Sequence, residues 1–190
     1  YTGLKKKKDT FYVKAPKFSF SKIGGLDAVL SPEMKSTGEA IGYDASLNRA
    51  LYKALKAADM KIQNYGTLFV TINDQDKEDA VELVRRFYNL GFSIEVTKGT
   101  AQFLKESGIK TRIKKKISEG STEIIDALSK GHITYVLNTL SKSRIASSDG
   151  LLIRRTAIEN NITMFTSLDT IGVLIDVLEE MTVTVSTIDS

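Results

Sequence analysis

From Gly66 onward the chain alternates short β-rich runs with amphipathic helical stretches, and this order constrains the fold more than any other feature of the sequence. Thr67–Ile72 reads as a strand, and the helical stretch Lys77–Leu90 follows, with Ala80, Val81, Val84, Phe87 and Tyr88 on one face. The pattern continues with a strand over Phe92–Val96, short helices over Thr100–Glu106 and Thr122–Ser129, and a buried strand over Ile133–Leu137. A helix over Leu151–Glu159, a strand over Thr163–Phe165 and a helix over Leu168–Glu180 complete it, the last turning Ile171, Leu174, Ile175 and Leu178 inward. Strands separated by helices predict an α/β fold: a parallel sheet with helices on both faces and right-handed crossovers.

Residues 1–62 follow a different grammar. They hold both prolines, Pro16 and Pro32, and the pair Gly24-Gly25, and they read as largely irregular. Strands are expected at Thr10–Val13 and around Phe18–Phe20, with a helix over Ser46–Ala58. So few elements cannot enclose a core, and the segment is expected to lean on another domain. The boundary is placed between residues 62 and 63. The chain opens on Tyr1 rather than methionine, which we read as the mark of a piece of a larger polypeptide.

Composition matters here for what it excludes. The formal net charge of +4 could suggest nucleic acid, but the excess lies in residues 1–62, with 12 basic against 6 acidic side chains. Residues 63–190 carry 15 against 17. Much of the excess includes the solvated run Lys5–Lys8, so a nucleic-acid partner is not expected. No apolar run approaches the roughly 20 residues of a membrane span, and no secretory signal is recognisable. The absence of cysteine rules out disulfides, thiolate metal sites and thiol nucleophiles, and a cytoplasmic location is expected.

Open parallel sheets bind ligands beyond the carboxyl ends of their strands. The residues found there are Thr71, Asn73, Asp74 and Lys77; Thr97, Gly99 and Thr100; Asn138 and Thr139, then Leu140 and Ser141; and Thr166 and Ser167. In the second group Gly99 is expected to allow a tight turn. The hydroxyls of Thr97 and Thr100 then stand beside the free amides that open the next helix, an arrangement suited to an anion. The plainer reading is a helix cap by Thr100. Lys77 and the run Lys114-Lys115-Lys116 could supply ammonium groups, although three lysines on a loop also suit a solvated surface. Asn138 and Thr139, ending a strand buried on both faces, are expected to hydrogen-bond. His132, the only histidine, and the pair Arg154-Arg155 are expected at the surface. With no nucleophile triad, glycine-rich nucleotide loop or metal-ligand spacing, the residues describe binding rather than catalysis, and no metal or catalytic residue is assigned.

Two stretches carry a family resemblance. Val13-Lys14-Ala15-Pro16-Lys17-Phe18-Ser19-Phe20, followed by Ser31-Pro32-Glu33-Met34-Lys35-Ser36-Thr37-Gly38-Glu39, resembles the end of the second ATP-grasp half of the carbamoyl phosphate synthetase large subunit. There the pattern runs approximately V-K-x-P-x-F-S-F and then G-P-E-M-[KR]-S-T-G-E. The rest, from about Lys61, resembles that enzyme's C-terminal allosteric domain, similar in fold to methylglyoxal synthase.

The resemblance implies a regulatory segment of a ligase that makes carbamoyl phosphate from glutamine-derived ammonia, bicarbonate and ATP, in arginine or pyrimidine biosynthesis. The rest of the large subunit and a glutaminase small subunit would be its partners, and homo-oligomers are possible. ATP and Mg²⁺ are implied for the whole enzyme and no cofactor for this segment. The implied ligand is a phosphorylated effector: UMP, IMP or phosphoribosyl pyrophosphate. Thr97, Gly99 and Thr100 match the family's T-x-G-T phosphate loop, Lys77 its lysine after the first strand, and Lys116 the lysine before its E-G pair, here Glu119-Gly120. Asn138 and Thr139 match its N-T, and Thr71 falls at a serine or threonine position.

Leu140 departs from a threonine that contacts effector in some members, and Met164, Phe165 and Thr166 stand where ornithine-activated members have tyrosine, aspartate and threonine. The stretch Met164–Thr170 looks more like pyrimidine-dedicated enzymes of Gram-positive type. Two other readings remain open. One is a methylglyoxal synthase-type lyase, for which Asp74 and Asp76 are the nearby carboxylates although the acidic G-G-D motif is missing. The other is a purely structural oligomerisation domain.

Overall fold

The computed structural model describes residues 10–17, 38–57, 61–139 and 148–186. The chain divides into two compact units, Tyr1–Ile62 and Gln63–Ser190.

In the first unit, strand β1 (Phe11–Lys17) pairs antiparallel with strand β2 (Gly38–Asp44), in a register that sets Tyr12 against Tyr43 and Val13 against Gly42. Helix α1 (Leu47–Ala57) lies on this pair. Its entry is fixed by Ser46, whose Oγ accepts the Arg49 amide at 3.4 Å, while the Ser46 amide donates to Asp44 Oδ1 at 3.1 Å. Lys53 ties helix to strand, donating to Asp44 Oδ2 at 2.7 Å and to the Tyr43 carbonyl at 3.2 Å. Fully buried Ala50 and Ala54 face Gly42, where even one methyl group would run into their backbone. Strand β2 is the departure from the sequence reading of this part: its two glycines and lack of a turn signal hide a strand that only its partner reveals. The strand expected near Phe18–Phe20 lies outside the described residues, as do Lys5–Lys8, Gly24-Gly25 and Ser31–Thr37.

The second unit is an α/β fold. Its five parallel strands are β3 (Thr67–Thr71), β4 (Ser93–Thr97), β5 (Arg112–Lys114), β6 (Tyr135–Asn138) and β7 (Thr163–Phe165), in the order β5-β4-β3-β6-β7. The helices are α2 (Lys77–Asn89), α3 (Lys98–Glu106), α4 (Glu123–Ser129), α5 (Ser148–Glu159) and α6 (Leu168–Ser186). From β3 the chain steps outward through β4 to β5, then returns to the other side of β3 for β6 and β7. Helix α2 packs against α3 and α6, and α4 packs against α5.

Alternation along the strands sorts the core. Phe69 and Val136, paired in register, join Ile124, Ala127 and Leu128 of α4 and Ile153 and Ala157 of α5. Tyr135 points the other way and meets Phe87 of α2 at 6.4 Å and Phe92 at 5.9 Å between ring centroids; those two rings sit edge to face at 5.2 Å. The inward residues expected on α6, Ile171, Leu174, Ile175 and Leu178, are all buried.

Several element bounds differ from the sequence expectation by a few residues, and one strand is additional. Helix α3 begins at Lys98, so Thr100 lies inside its first turn and Thr97 holds the capping position. The central strand begins at Tyr135, and the stretch Arg112–Lys114 is an edge strand that a single isoleucine among charges does not announce. Among the described residues no helix is long and apolar enough to cross a membrane.

Tyr135 also fastens the lead-in to β3. Its hydroxyl donates to the Gln63 carbonyl and accepts the Gln63 amide, both at 2.8 Å. Burial pushes its phenol pKa up, and the bond to Gln63 opposes that shift only in part. The contribution is therefore complete below the ordinary phenol range and is lost as pH rises through the elevated value. Tyr135→Phe should cost about 1–2 kcal/mol in urea unfolding at neutral pH, and the gap from the native chain should narrow in alkali. Gly42→Ala should destabilise the first unit by about 1–3 kcal/mol in the same assay, because the clash is with backbone that cannot rotate away.

Candidate functional site

The return of the chain across β3 leaves the loops after β3 and β6 diverging to opposite faces of the sheet, which opens a crevice at the carboxyl ends of these neighbours. Thr71 and Asn138 end the two strands opposite each other in register. The Thr139 amide continues the pairing to the Thr71 carbonyl at 3.2 Å. Asn138 is 5% exposed and donates from Nδ2 to the Gly150 carbonyl in α5 at 3.3 Å. The Thr139 hydroxyl accepts the Asn73 amide at 3.1 Å.

Asn73 shapes the next turn, Asp74–Asp76, a single 3-10 turn that leads into α2. Its Oδ1 accepts the amides of Gln75 at 2.9 Å and Asp76 at 3.2 Å, and its Nδ2 donates to Asp76 Oδ2 at 2.7 Å. Asp76 is thus bonded into the turn, whereas Asp74 points outward with its side chain 92% exposed. Lys77 opens α2 and bridges two loops: its ammonium lies 2.6 Å from Asp74 Oδ1 and donates to the Gly99 carbonyl at 3.2 Å. One bonded path thereby joins the end of β6, the turn after β3 and the first turn of α3.

At α3 the structure differs from the sequence expectation. Gly99 does not make a tight turn; it lies in the first turn of the helix, and a side chain there would meet open space. Thr100 is not the cap, being the third helical residue and only 2% exposed. Thr97 stands at the capping position, 8% exposed, but its hydroxyl bonds none of the helix amides. The helix thus opens with uncapped N–H groups beside Lys77, and the missing side chain at Gly99 leaves the approach clear.

The lysine run divides three ways. Lys114 lies on β5 and pairs at 3.6 Å with Glu95, a carboxylate buried at the neighbouring strand. The Lys115 amide is tied to Glu123 Oε2 at 3.2 Å, and its side chain is exposed. Lys116 lies beside the first turn of α3, in a lining it shares with Lys98 and Gly99, and its charge makes the weakest contribution to lowering the Asp74 carboxyl. The Asp74 carboxyl is held below the usual range first by its bond to Lys77, then by the Lys77 charge and, more weakly, by Lys116.

Asp74, named in the sequence among the residues after the first strand and as a nearby carboxylate, is thus the ion-pair partner of Lys77. Its spacing of three from Lys77 across a helix start was the signal available. Thr166 and Ser167 stay apart from this group; Ser167 Oγ accepts the Thr170 amide at 3.3 Å and so opens α6. His132 is exposed and precedes β6, at the opposite end of the strands, and Arg155 pairs with Glu159 at 2.8 Å. Leu140 and Ser141 lie outside the described residues. Among the described residues no cluster of metal-ligating side chains exists.

Residues 79–166 match the family model of the MGS-like domain. Thr97, Gly99, Thr100, Lys116, Asn138 and Thr139 fall within that span, and Thr71 and Lys77 just before it. The chain is similar in structure to methylglyoxal synthase from Elizabethkingia anophelis NUHP1, with a TM-score of 0.51 and 17% sequence identity, over 60% of this chain and 79% of that one. At that identity the likeness is one of fold.

The convergence on Asp74 has a direct readout. Its charge contacts are present above the ordinary carboxyl pKa and fade as pH falls through the depressed value. An NMR titration should find the Asp74 carboxyl displaced upward in Lys77→Ala and upward by a smaller amount in Lys116→Ala. An unchanged titration in both variants would place the lysines elsewhere.

Proposed function

We propose that the second unit is an effector-binding regulatory domain, non-catalytic by itself, that takes the phosphate of a small phosphorylated metabolite at the opening of α3. The observation that carries this reading is the Lys77 ammonium, held between Asp74 and the Gly99 carbonyl beside a helix start whose capping threonine makes no cap bond. A phosphate there accepts from the α3 amides and from the Thr97 and Thr100 hydroxyls, and pairs with Lys77 and Lys116. Thr71, Asn138 and Thr139 line the switch point, where the remainder of the ligand lies. Because Asp74 already neutralises Lys77, the arriving phosphate displaces a carboxylate rather than water.

Combined with the resemblance of residues 13–39 to the ATP-grasp end, this assigns the chain to the regulatory end of a carbamoyl phosphate synthetase large subunit, in a cytoplasmic setting. UMP, IMP or phosphoribosyl pyrophosphate is the effector. Regulation then follows from the effector's different affinity for two states of the enzyme.

The lyase reading draws on the fold likeness alone. The lowered pKa of Asp74 weakens it as a base, and Asp76 is bonded to Asn73. Incubation with dihydroxyacetone phosphate should yield no methylglyoxal.

Two measurements test the phosphate site. In calorimetry with UMP, IMP and phosphoribosyl pyrophosphate, Lys77→Ala or Lys116→Ala should weaken the binding effector by about 1–3 kcal/mol. Asp74→Asn should tighten the same effector, since the internal competitor has lost its charge. If none of the three raises the melting temperature of the native chain, the domain is structural.

A further inference from the structure

The opening of α3 continues into a groove between α3 and β5, the strand that ends the sheet among the described residues; its volume is about 1070 Å³, and Gly99 and Lys116 of the proposed phosphate site belong to its lining. Lys98 and Lys105 on α3, Lys110 before β5 and Lys116 after it all line this groove. Glu119 is its only carboxylate among the described residues, and Glu119 Oε2 already accepts the Lys116 amide at 3.2 Å. From Ser107 to Ser118 the chain holds five basic residues and no acidic one, although the unit as a whole is close to neutral. The strand's own alternation separates its roles. Arg112 and Lys114 share the face of Glu95, while Ile113, paired with Val96, turns into the groove and stays 57% exposed.

Lysines on an edge strand commonly guard it against pairing with another chain. That explanation leaves the isoleucine unaccounted for, since a guarded edge gains nothing from an exposed β-branched side chain on the floor of a wide groove. We infer that the α3–β5 groove docks an acidic polypeptide segment, which adds to β5 as an extended strand and sets an apolar side chain on Ile113. The free backbone of β5 supplies hydrogen bonds, and alternate side chains of the guest meet Ile113 and the lysine rim. A second copy of this chain does not fit, because pairing β5 with itself brings two basic edges together. Single-stranded nucleic acid is disfavoured too: among the described residues the groove lining contains no aromatic ring for bases to stack on.

The probe is a fluorescein-labelled peptide of about ten residues alternating glutamate and valine, capped at both ends, titrated into the full chain and followed by anisotropy. Saturable binding is expected at low salt, falling as ionic strength rises. Binding should weaken by about tenfold or more in the exposed double variant Lys105→Glu/Lys110→Glu and again in Ile113→Asp. Exchange of the amides at residues 112–114 should slow when peptide is bound. A matching peptide N-methylated at alternate residues should lose affinity for the native chain, a comparison that does not depend on any variant folding. Equal binding of the methylated peptide would overturn strand addition. So would tighter binding of a single-stranded oligonucleotide of the same charge, or self-association in sedimentation that Ile113→Asp abolishes.

Discussion

The reversal of strand order at β3 is the constraint on which the rest of the second unit depends. Had the chain continued outward from β5, the carboxyl end of β3 would be flanked by connections leaving to one face, and no crevice would form there. By returning across β3 to lay down β6, it places Thr71 and Asn138 side by side while their loops part. The buried core makes this arrangement unique. Leu68, Phe69 and Val70 are fully buried on the two faces, so slipping β3 by one residue would exchange its inward sets and bury Thr67 or Thr71 in their place. Core and crevice are therefore consequences of one register.

The charges in the crevice follow a second rule. A half-buried ammonium at the start of two helices is unfavourable to both, because it sits near the positive ends of their dipoles. Lys77 is tolerated since Asp74 answers it at 2.6 Å and the Gly99 carbonyl takes another of its protons. The carboxylate is almost wholly in water and costs little to move. The Lys77 ammonium is thus fixed by groups of the chain itself, one of them a carboxylate at the surface.

Long amphipathic stretches made much of this fold legible in the sequence. The helical stretches expected over Lys77–Leu90 and Leu168–Glu180 and the apolar run Ile133–Leu137 correspond to α2, α6 and β6, with ends shifted by up to six residues. What stayed hidden was short or depended on partners. Strand β5 offers only Arg112, Ile113 and Lys114, and its identity comes from pairing with β4. Strand β2 carries two glycines, one of which serves close packing against α1 rather than a turn. The start of α3 was misplaced because threonine and glycine are weak helix formers, and the preference for a cap at Thr100 gave way to the path set by β4. The role of Asp74 was invisible for another reason: its two cations come from Lys77 nearby and from Lys116, forty-two residues away in sequence.

Lys114 and Lys116 show how one basic run serves both faces of an edge strand. Glu95 is buried with an oxygen that makes no hydrogen bond, and its nearest countercharge is Lys114 at 3.6 Å. Removing that lysine would break the ion pair of a buried carboxylate, which ties Lys114 to the fold. Two residues later the chain has left the strand, and Lys116 lines the groove beside α3. The alternation of a strand imposes this division, with even-numbered residues facing Glu95 and Ile113 facing away. A stretch that resembles a plain solvated patch in one dimension therefore divides, in three, between pairing with a buried carboxylate and lining the groove beside α3.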